Sequence, residues 1–515
     1  MEGTIFSIIP AVIMLVLVLL TRKVLLSLGA GIIVGALFIH DFAVVDSIQE
    51  IGIIFYNIFI SDGSINIGNI YLLSFLLLLG MLTAFLTASG GSRAFGDWMI
   101  NRVRTRNGAQ VMTAIMGLII FIDDYFNSLA VGQIARPLTD RHKISRAKLA
   151  YFIDSTSAPV TVISPISSWG AYIIGIIGGL LATNEITNIQ PLEAFITMIP
   201  LNFYAFTAIL LVFLVAFLKM DIGAMRKHED RAKTEGKLLK PGESNVPGDL
   251  SDAFEPHQQG RIYHLLVPIG VLIVATVTAM VLTGMNASGA KVTIITTFAN
   301  TNVNLSLFLG GIASVLTALV FHLQQGQPKA NWEKILFEGI KTMLPAIYIL
   351  LLAWMIGSVI GTLETGQYLA QIVSDASISS AFLPLLFFII AGLMALATGT
   401  SWGTFGIMLP IAAEVAVITD VSMLLPALSA VLAGSVFGDH CTPISDTTIL
   451  SSTGAGSNHI DHVLTQLPYA LIAAFASAIG FLIIGITNQV VFALLAALIV
   501  VVLVGFVIQF FNKTK

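Results

Sequence analysis

Charged residues are scarce in this sequence: Asp, Glu, Lys and Arg make up 10% of its 515 residues, whereas hydrophobic residues make up 56%. In soluble globular domains roughly a quarter of all residues are charged, so this composition excludes that class. It predicts an all-α polytopic membrane protein. Cys441 is the only cysteine, which excludes a disulfide framework and a cysteine-built metal site. A net charge of −4 provides no basic footprint for nucleic acid.

Nine apolar runs reach the length of about 17 to 25 residues that a membrane-crossing helix needs. They cover residues 4–20, 24–40, 70–88, 194–218, 263–284, 303–323, 341–361, 466–486 and 489–510. Four further apolar segments are interrupted by polar residues, proline or glycine: 111–135, 149–183, 380–411 and 424–457. With 149–183 and 424–457 taken as broken single crossings, we expect about eleven transmembrane helices.

Basic residues mark one side of the membrane. They flank segment 111–135 on both sides, and only 25 residues separate Gln110 from Arg136. Two full crossings need about 40 residues, so we expect a re-entrant hairpin that enters and leaves on the cytoplasmic side. The flanks of 380–411 are acidic without Lys or Arg, which predicts a second hairpin entering from outside. The same rule places the N-terminus outside and the C-terminus inside a cytoplasmic membrane.

An internal repeat organises the chain. SRAFGDWMIN (92–101) resembles TGQYLAQIVS (365–374), and SPISS (164–168) resembles TPISD (442–446). In the charge-derived topology the matched pieces run in opposite directions, and inverted-topology repeats with broken helices are typical of secondary transporters. We expect a first repeat at 1–218, a cytoplasmic linker at 219–262 that serves as a tether, a second repeat at 263–486, and an extra C-terminal helix at 487–515.

Four polar motifs carry nearly all the chemistry at membrane depth. They are FIDDYFNS (121–128), FIDSTSAPVTVISPISS (152–168), ATGTSWGT (397–404) and GDHCTPISDTT (438–448). An acid in this environment costs at least about 2.5 kcal/mol, and none of the motifs contains Lys or Arg. Carboxylates without a basic partner, beside hydroxyls and carbonyls freed by broken helices, suit Na⁺ or a proton.

These motifs supply the candidate ion- or substrate-binding residues. They are Asp123, Asp124, Asn127, Ser128, Asp154, Ser155, Ser157, Thr398, Thr400, Ser401, Asp439, His440, Ser445, Asp446 and Thr447, with Na⁺ placed at Asp154, Asp439 and Asp446. One of the adjacent Asp123 and Asp124 is expected to face the cavity and the other to cap a half-helix. Asp154 serves either in transport or as an interfacial cap, and His440 either relays protons or is structural.

Other polar and aromatic residues are expected outside the site. Trp169 and Trp402 are read as packing or interface rings. Glu364, Glu414, His459 and His462 are expected in solvated loops.

The motifs resemble the NhaC family of sodium/proton antiporters. GDHCTPISDTTILSS (438–452) is similar to the family's Gly-Asp-x-x-Ser-Pro-x-Ser-Asp-Thr-Thr element, with Thr442 in place of the usual Ser. FIDDYFNSL (121–129) and the Ser-Pro element after Asp154 resemble its first-half counterpart. The resemblance implies exchange of Na⁺ for H⁺ by an alternating-access carrier, and a homodimer. Related carriers exchange organic anions such as malate and lactate or move amino acids, so a coupled carrier of such a solute is the alternative.

Enzyme chemistry is not expected. GTSWG (399–403) matches the Gly-x-Ser-x-Gly string, but that motif works on a strand-to-helix turn, and this one lies in an apolar helical segment. The sequence has no phosphate-binding loop for ATP-driven pumping. We therefore expect no cofactor, with Na⁺ and H⁺ as transported or coupling ions, and membrane lipid and small solutes as partners.

Overall fold

A computed structural model of the protein describes residues 1–21, 23–61, 63–100, 102–121, 123–165, 167–187, 189–241, 255–289, 292–327, 330–365, 367–368 and 379–513. The central part of the predicted linker and most of the second repeat match at 365–374 lie outside these residues.

The first half of the chain forms twelve α-helices in its described part: α1 Ile9–Thr21, α2 Val24–Ile39, α3 Val44–Phe59, α4 Ile67–Ala88, α5 Gly91–Ile100, α6 Arg106–Ile119, α7 Asp124–Arg141, α8 Arg146–Val162, α9 Ser168–Thr183, α10 Pro191–Met198, α11 Phe203–Leu218 and α12 Gly223–Glu235. Two short strands, β1 Ile60–Ser61 and β2 Ser64–Ile65, pair between α3 and α4.

The second half adds ten α-helices in its described part: α13 Tyr263–Ser288, α14 Ile294–Ala299, α15 Val303–Gln324, α16 Trp332–Thr362, α17 Leu383–Thr398, α18 Ser401–Thr419, α19 Leu424–Cys441, α20 Asp446–Ala455, α21 His459–Thr487 and α22 Val490–Lys513. Single 3₁₀ turns at Ile5–Ile8, Ile199–Leu201, Ser380–Phe382 and Val421–Met423 precede or join helices.

Ten helices in the described part of the chain are long and apolar enough to cross a membrane. The predicted all-α polytopic membrane fold is therefore confirmed. α22 has the features of a helix that faces lipid, because only 22% of its most apolar stretch is buried within the protein. Its exposed Phe492, Leu495, Ile499, Leu503 and Phe506 follow the three-to-four-residue spacing of one helix face.

The two predicted hairpins differ in length. α6 has 14 residues and is about 21 Å long, shorter than a hydrocarbon core of about 30 Å. The arms of the second hairpin, Ser380–Thr398 and Ser401–Thr419, each have the length and composition of a membrane span, and the second arm continues beyond the predicted end at residue 411. The re-entrant path of both segments stays a prediction.

Helix breaks occur where the sequence offers capping residues. Thr105, Ser145, Ser167, Thr400 and Ser445 each precede a helix and accept a hydrogen bond from a backbone N–H in its first turn. Gly399 closes α17 with a positive φ of 74°, a conformation that glycine adopts without steric cost. Ser167, Thr400 and Ser445 lie within the polar motifs, so new helices start there in otherwise apolar segments.

The repeat is visible in the spacing of the helices. α17, α18, α19 and α20 begin 277 or 278 residues after α6, α7, α8 and α9 respectively. A register maintained over four consecutive helices supports an internal duplication. Whether the two copies are inverted across the membrane stays a prediction.

Buried apolar side chains form two large clusters, and the broken helices join them. α8 and α19 contribute to one cluster through residues such as Phe152 and Leu428. α7 and α20 contribute to the other through residues such as Leu129 and Leu450. Because α20 packs against both α7 and α8, the polar motifs meet in the protein interior between the two clusters.

The expectation that the linker is only a tether is wrong for residues 219–241. This stretch contains α12, whose Glu229 is fully buried. Glu229 Oε1 accepts a hydrogen bond of 2.8 Å from the Ser145 amide, and Oε2 lies 2.5 Å from Arg106 Nη2. Lys148 Nζ lies 3.4 Å from Glu229 Oε2 and donates to Asp221 Oδ1 at 2.6 Å. Buried charge pairing thus fixes α12 to the start of α8.

Candidate functional site

The polar motifs meet at four breaks in the helices. The breaks separate α6 from α7, α8 from α9, α17 from α18 and α19 from α20. Two close approaches bring the broken helices together. A Cβ atom at Gly132 of α7 would lie 2.5 Å from the Gly454 carbonyl carbon of α20, so only glycine permits this crossing. Ser128 and Ser451 then meet with their Oγ atoms 3.1 Å apart.

Asp154 lies inside α8 with no exposed surface, so the alternative of an interfacial cap is wrong. Its Oδ2 accepts hydrogen bonds from Gln466 Nε2 at 2.6 Å and Thr448 Oγ1 at 3.2 Å, and lies 3.2 Å from His462 Nε2. Ser451 Oγ donates to Oδ1 at 3.1 Å. Four donors around one carboxylate offset the cost of burying its charge.

Asp439, near the end of α19, is less completely bonded. Its Oδ2 accepts from Ser401 Oγ at 3.1 Å and Thr447 Oγ1 at 3.2 Å. Ser445 lies close to the carboxyl group, but the buried Oδ1 has no hydrogen bond of normal geometry among the described residues. This oxygen is available for a ligand or a proton.

Asp446 begins α20 and is linked to Asp439 through Thr447. The Thr447 amide donates to Asp446 Oδ1 at 2.8 Å, while the Thr447 hydroxyl contacts Asp439. The Tyr125 hydroxyl donates to Asp446 Oδ2. Asp446 is half-buried, whereas Asp439 is 1% exposed, so Asp446 is the more accessible of the two.

Asp124 begins α7 and is buried close enough to Asp446 and Asp439 for their charges to interact. Trp169 Nε1 donates to Asp124 Oδ1 at 2.9 Å, so Trp169 combines packing with a polar contact to the site. Asp124 Oδ2 is a second buried oxygen without a hydrogen-bond partner among the described residues. Asp123 lies beside it and is also buried.

Several other candidates bond to backbone in this structure. Asn127 Nδ2 donates to the Gly117 and Ile120 carbonyls at 2.6 Å each, which holds the end of α6 against α7. Ser157 donates to the Asp154 carbonyl at 3.2 Å, and Thr398 to the Met394 carbonyl at 2.9 Å.

The remaining candidates surround the acids more closely. Ser155 is buried on α8 next to Asp154, and Ser445 and Thr447 share a hydroxyl contact of 2.9 Å. The Tyr204 hydroxyl lies 3.0 Å from His440 Nδ1. His440 Nε2 has no hydrogen-bond partner in the described part of the chain.

His462 and His459 do not lie where the sequence pattern predicts them. Both were expected in solvated loops, but both are buried in the first turns of α21. His462 and Gln466 are four residues apart on one helix face, which lets both reach Asp154. That spacing in an otherwise apolar helix was the available signal. Tyr125, Thr448 and Ser451 were also missed.

A cavity of about 550 Å³ leads to the acids. Asp123, Asp124 and Asp446 line it together with Tyr125. Asn300, Asn302, Asn304, Thr400 and Trp402 line the rest of its wall. The Trp402 ring packs against Tyr172, with the ring centroids 4.7 Å apart and the planes tilted by 39°. Because Trp402 also lines the cavity, its role is not limited to core packing.

Carboxylates alone do not form an ion cage. Among the described residues, no group of three His, Cys, Asp or Glu side chains is arranged to hold a metal ion. A transported cation would therefore use hydroxyl, amide or carbonyl oxygens as well. The bonding in the structure separates Asp154, with four donors, from Asp439 and Asp446, which share Thr447. The three-acid Na⁺ site stays a prediction.

Comparison with protein families matches residues 160–486 to the Na⁺/H⁺ antiporter family. An uncharacterized protein of Haemophilus influenzae is 47% identical over 490 residues, which cover 94% of this chain and 92% of that protein. The malate-2H⁺/Na⁺-lactate antiporter of Bacillus subtilis is 30% identical over 193 residues, which cover 37% of this chain and 39% of that protein. An uncharacterized Na⁺/H⁺ antiporter of Haemophilus influenzae is 34% identical over 143 residues, 27% of this chain and 30% of that protein.

Proposed function

The chain belongs to the Na⁺/H⁺ antiporter family, and we propose that it exchanges Na⁺ for H⁺ across the cytoplasmic membrane by alternating access. It is a multi-pass membrane transporter and not an enzyme. The observation that carries the proposed exchange is Asp439 Oδ1, a buried carboxylate oxygen without a hydrogen bond of normal geometry among the described residues. The outward N-terminus and the homodimer remain predictions.

Coupling follows from the chemistry of one carboxylate. A carboxylate that is buried in low dielectric with too few hydrogen-bond donors is stable only when a cation or a proton neutralises it. Ser401 and Thr447 fix Asp439 Oδ2, which leaves Oδ1 for Na⁺ or H⁺ but not for both at once. Exchange then requires only that the neutralised site changes the side to which it opens.

Asp446 and Asp124 extend this site toward the cavity. Asp446 is half-buried and shares Thr447 with Asp439, while Asp124 Oδ2 is a further buried oxygen without a partner in the described structure. Na⁺ prefers several oxygen ligands, and the hydroxyls of Ser401, Ser445 and Thr447 are adjacent. We assign Asp446 and Asp124 to cation entry and Asp439 to the exchange itself.

Asp154 has a different role in this proposal. Its four polar contacts, one of them with His462, hold it in place without a transported ion. We assign it to organising α8, α20 and α21 around the site, so that Na⁺ bound near Asp439 meets a fixed framework.

The test is Na⁺-driven proton movement in vesicles containing the purified protein and an internal pH dye. Adding Na⁺ outside wild-type vesicles should change the internal pH without any organic solute. Asp439→Asn keeps the shape of the side chain and removes its charge, and should lower the rate at least tenfold. The matched control is Glu414→Gln, an exposed acid on α18, which should retain the wild-type rate.

A second candidate function is Na⁺- or H⁺-coupled transport of a small organic acid or amino acid. The cavity of about 550 Å³ favours it, because small-molecule sites range from about 300 to 1,000 Å³ and a bare ion needs far less. The Bacillus subtilis relative, a malate-2H⁺/Na⁺-lactate antiporter, also supports it. A pH response to Na⁺ that appears only when malate, lactate or an amino acid is present would select this candidate.

A further inference from the structure

A second polar cavity, separate from the acidic site, lies at the other ends of the broken helices. It has a volume of about 210 Å³ and is bordered by α4, α5, α7 and α8. Arg93, Arg136, Arg141 and Arg146 line it together with a single acid, Asp140, which gives the lining a formal charge of +3. We call it the arginine cavity.

The arginine side chains are held in place by their surroundings. Arg146 forms a two-point ion pair with Asp140, in which Nε lies 2.7 Å from Oδ1 and Nη2 lies 2.8 Å from Oδ2. Arg93 Nη2 donates to the backbone carbonyls of His257 and Gln258 at 3.0 and 3.2 Å, which carry no formal charge. Arg141 pairs with Asp97 outside the lining, and both are substantially exposed, so water screens this pair.

The excess of arginines over acids in this lining favours an anion. Arg136 and Arg146 are 9% and 6% exposed, which limits how far water can stabilise their charges. Guanidinium groups present planar pairs of N–H donors that match carboxylate and phosphate oxygens. At about 30 Å³ per water, the cavity volume corresponds to about seven waters, enough for phosphate or a small polycarboxylate.

We propose that the arginine cavity binds a small multivalent oxyanion. The anion bears carboxylate or phosphate groups, free in solution or as a lipid headgroup. The proposal is independent of the ion-exchange function. Arg146 of the arginine cavity and Asp154 of the acidic site are eight residues apart on α8, which separates them by about 12 Å along the helix axis.

Anion binding at this position bears on the broken helices. Arg146 Nη1 donates to the Ala455 carbonyl at 2.9 Å, at the end of the helix that begins with Asp446. Arg136 lies on α7, whose first residue is Asp124, and a Cβ atom at Gly456 would lie 2.7 Å from its Cζ. An anion that ties these arginines together also ties α7, α8 and α20 at their common end.

The experiment measures thermal unfolding of the purified full-length protein in detergent against increasing phosphate or citrate, at constant Na⁺ and ionic strength. Constant ionic strength removes general screening from the comparison. A saturable rise in Tm is expected for wild type. The double variant Arg93→Gln/Arg141→Gln should weaken the apparent affinity at least tenfold. The control Lys237→Gln/Lys341→Gln removes two exposed cations elsewhere and should respond like wild type.

Further measurements test whether the variants fold, where the anion binds and whether the anion comes from solution or from a lipid. Arg141→Gln alone removes an exposed side chain and should weaken the affinity severalfold with an unchanged Tm before anion is added, even if the double variant does not fold. Asp439→Asn should keep the full anion response, which distinguishes this cavity from the acidic site.

Nanodiscs with phosphatidylglycerol or phosphatidylcholine test whether the anion is a lipid headgroup. Stabilisation by the anionic lipid alone, lost in the double variant, supports a headgroup as the ligand. No response of wild type to any of these probes, or equal responses of the arginine and control variants, overturns the proposal.

Discussion

His462 Nε2 lies 3.2 Å from Asp154 Oδ2, and neither side chain is exposed. The two residues come from different halves of the chain, and Gln466 reaches the same oxygen from one helical turn further along α21. This contact gives Asp154 a partner within the membrane domain, although no Lys or Arg occurs in the polar motifs. Asp154 is thus held by several hydrogen-bond partners, whereas Asp439 is less completely bonded.

The first prediction contrasts the two acids. Asp154→Asn replaces one accepting oxygen by an amide N–H₂ among four donors, so it should destabilise the protein by about 1–3 kcal/mol. Asp439→Asn should change stability much less, because Oδ1 makes no hydrogen bond of normal geometry in the described structure. Thermal unfolding of both variants checks this, and equal losses would mean that the two acids are held alike.

The second prediction concerns the hydroxyls on Asp439. Ser401→Ala and Thr447→Val each remove one donor to Oδ2, and the freed carboxylate should raise the KM for Na⁺ severalfold while the protein stays folded. Thr404→Ala is the matched control, because Thr404 donates to the Thr400 carbonyl at the N-cap of its own helix. Initial rates of Na⁺-dependent proton flux give KM. A KM shift in the control as large as in the two variants would refute a specific role.

The third prediction tests the crossing of α7 and α20. Gly132→Ala adds a Cβ 2.5 Å from Gly454 and should cost about 1–3 kcal/mol through overpacking. Gly175→Ala on α9 meets no atom within 4 Å and should be neutral or stabilise by about 0.5–1 kcal/mol. Thermal stability and transport rate are measured for both. Unimpaired Gly132→Ala would show that the helices do not cross this closely.

The fourth prediction concerns the anchor of α12. Lys148 is buried with Asp221 and Glu229, so Lys148→Met should remove the cation that these two acids share and destabilise by up to about 3–5 kcal/mol. Arg106 and Lys233 would remain as their other cationic partners. Limited proteolysis should then cut near α12 sooner than in wild type. Lys227→Met changes an exposed lysine of α12 and serves as the control. Equal proteolysis rates in the two variants would argue against the anchor.

Local sequence rules predicted much of the fold. Apolar runs fix where membrane helices form, and the caps at Ser145, Ser167, Thr400 and Ser445 start new helices beside the expected motifs. α12 was missed as a structured element because hydropathy marks its polar sequence only as soluble. Its order comes from tertiary contacts such as Glu229 with the Ser145 amide, which no local pattern encodes.

The acids of the candidate site could be predicted from the sequence, but their partners could not. Asp123, Asp124, Asp154, Asp439 and Asp446 were found because acids in apolar segments require an explanation. Their partners could not be assigned, since His462 and Asp154 are 308 residues apart. The i, i+4 spacing of His462 and Gln466 indicates a shared helix face but does not name the acid that this face meets.

The most direct test of the central claim is the KM for Na⁺ measured at several pH values in vesicles. If Na⁺ and H⁺ compete for Asp439, KM should rise as the pH falls, by up to tenfold per pH unit, while the maximal rate at saturating Na⁺ is unchanged. A KM that does not change with pH would contradict the account, because it would place Na⁺ and the proton on separate groups.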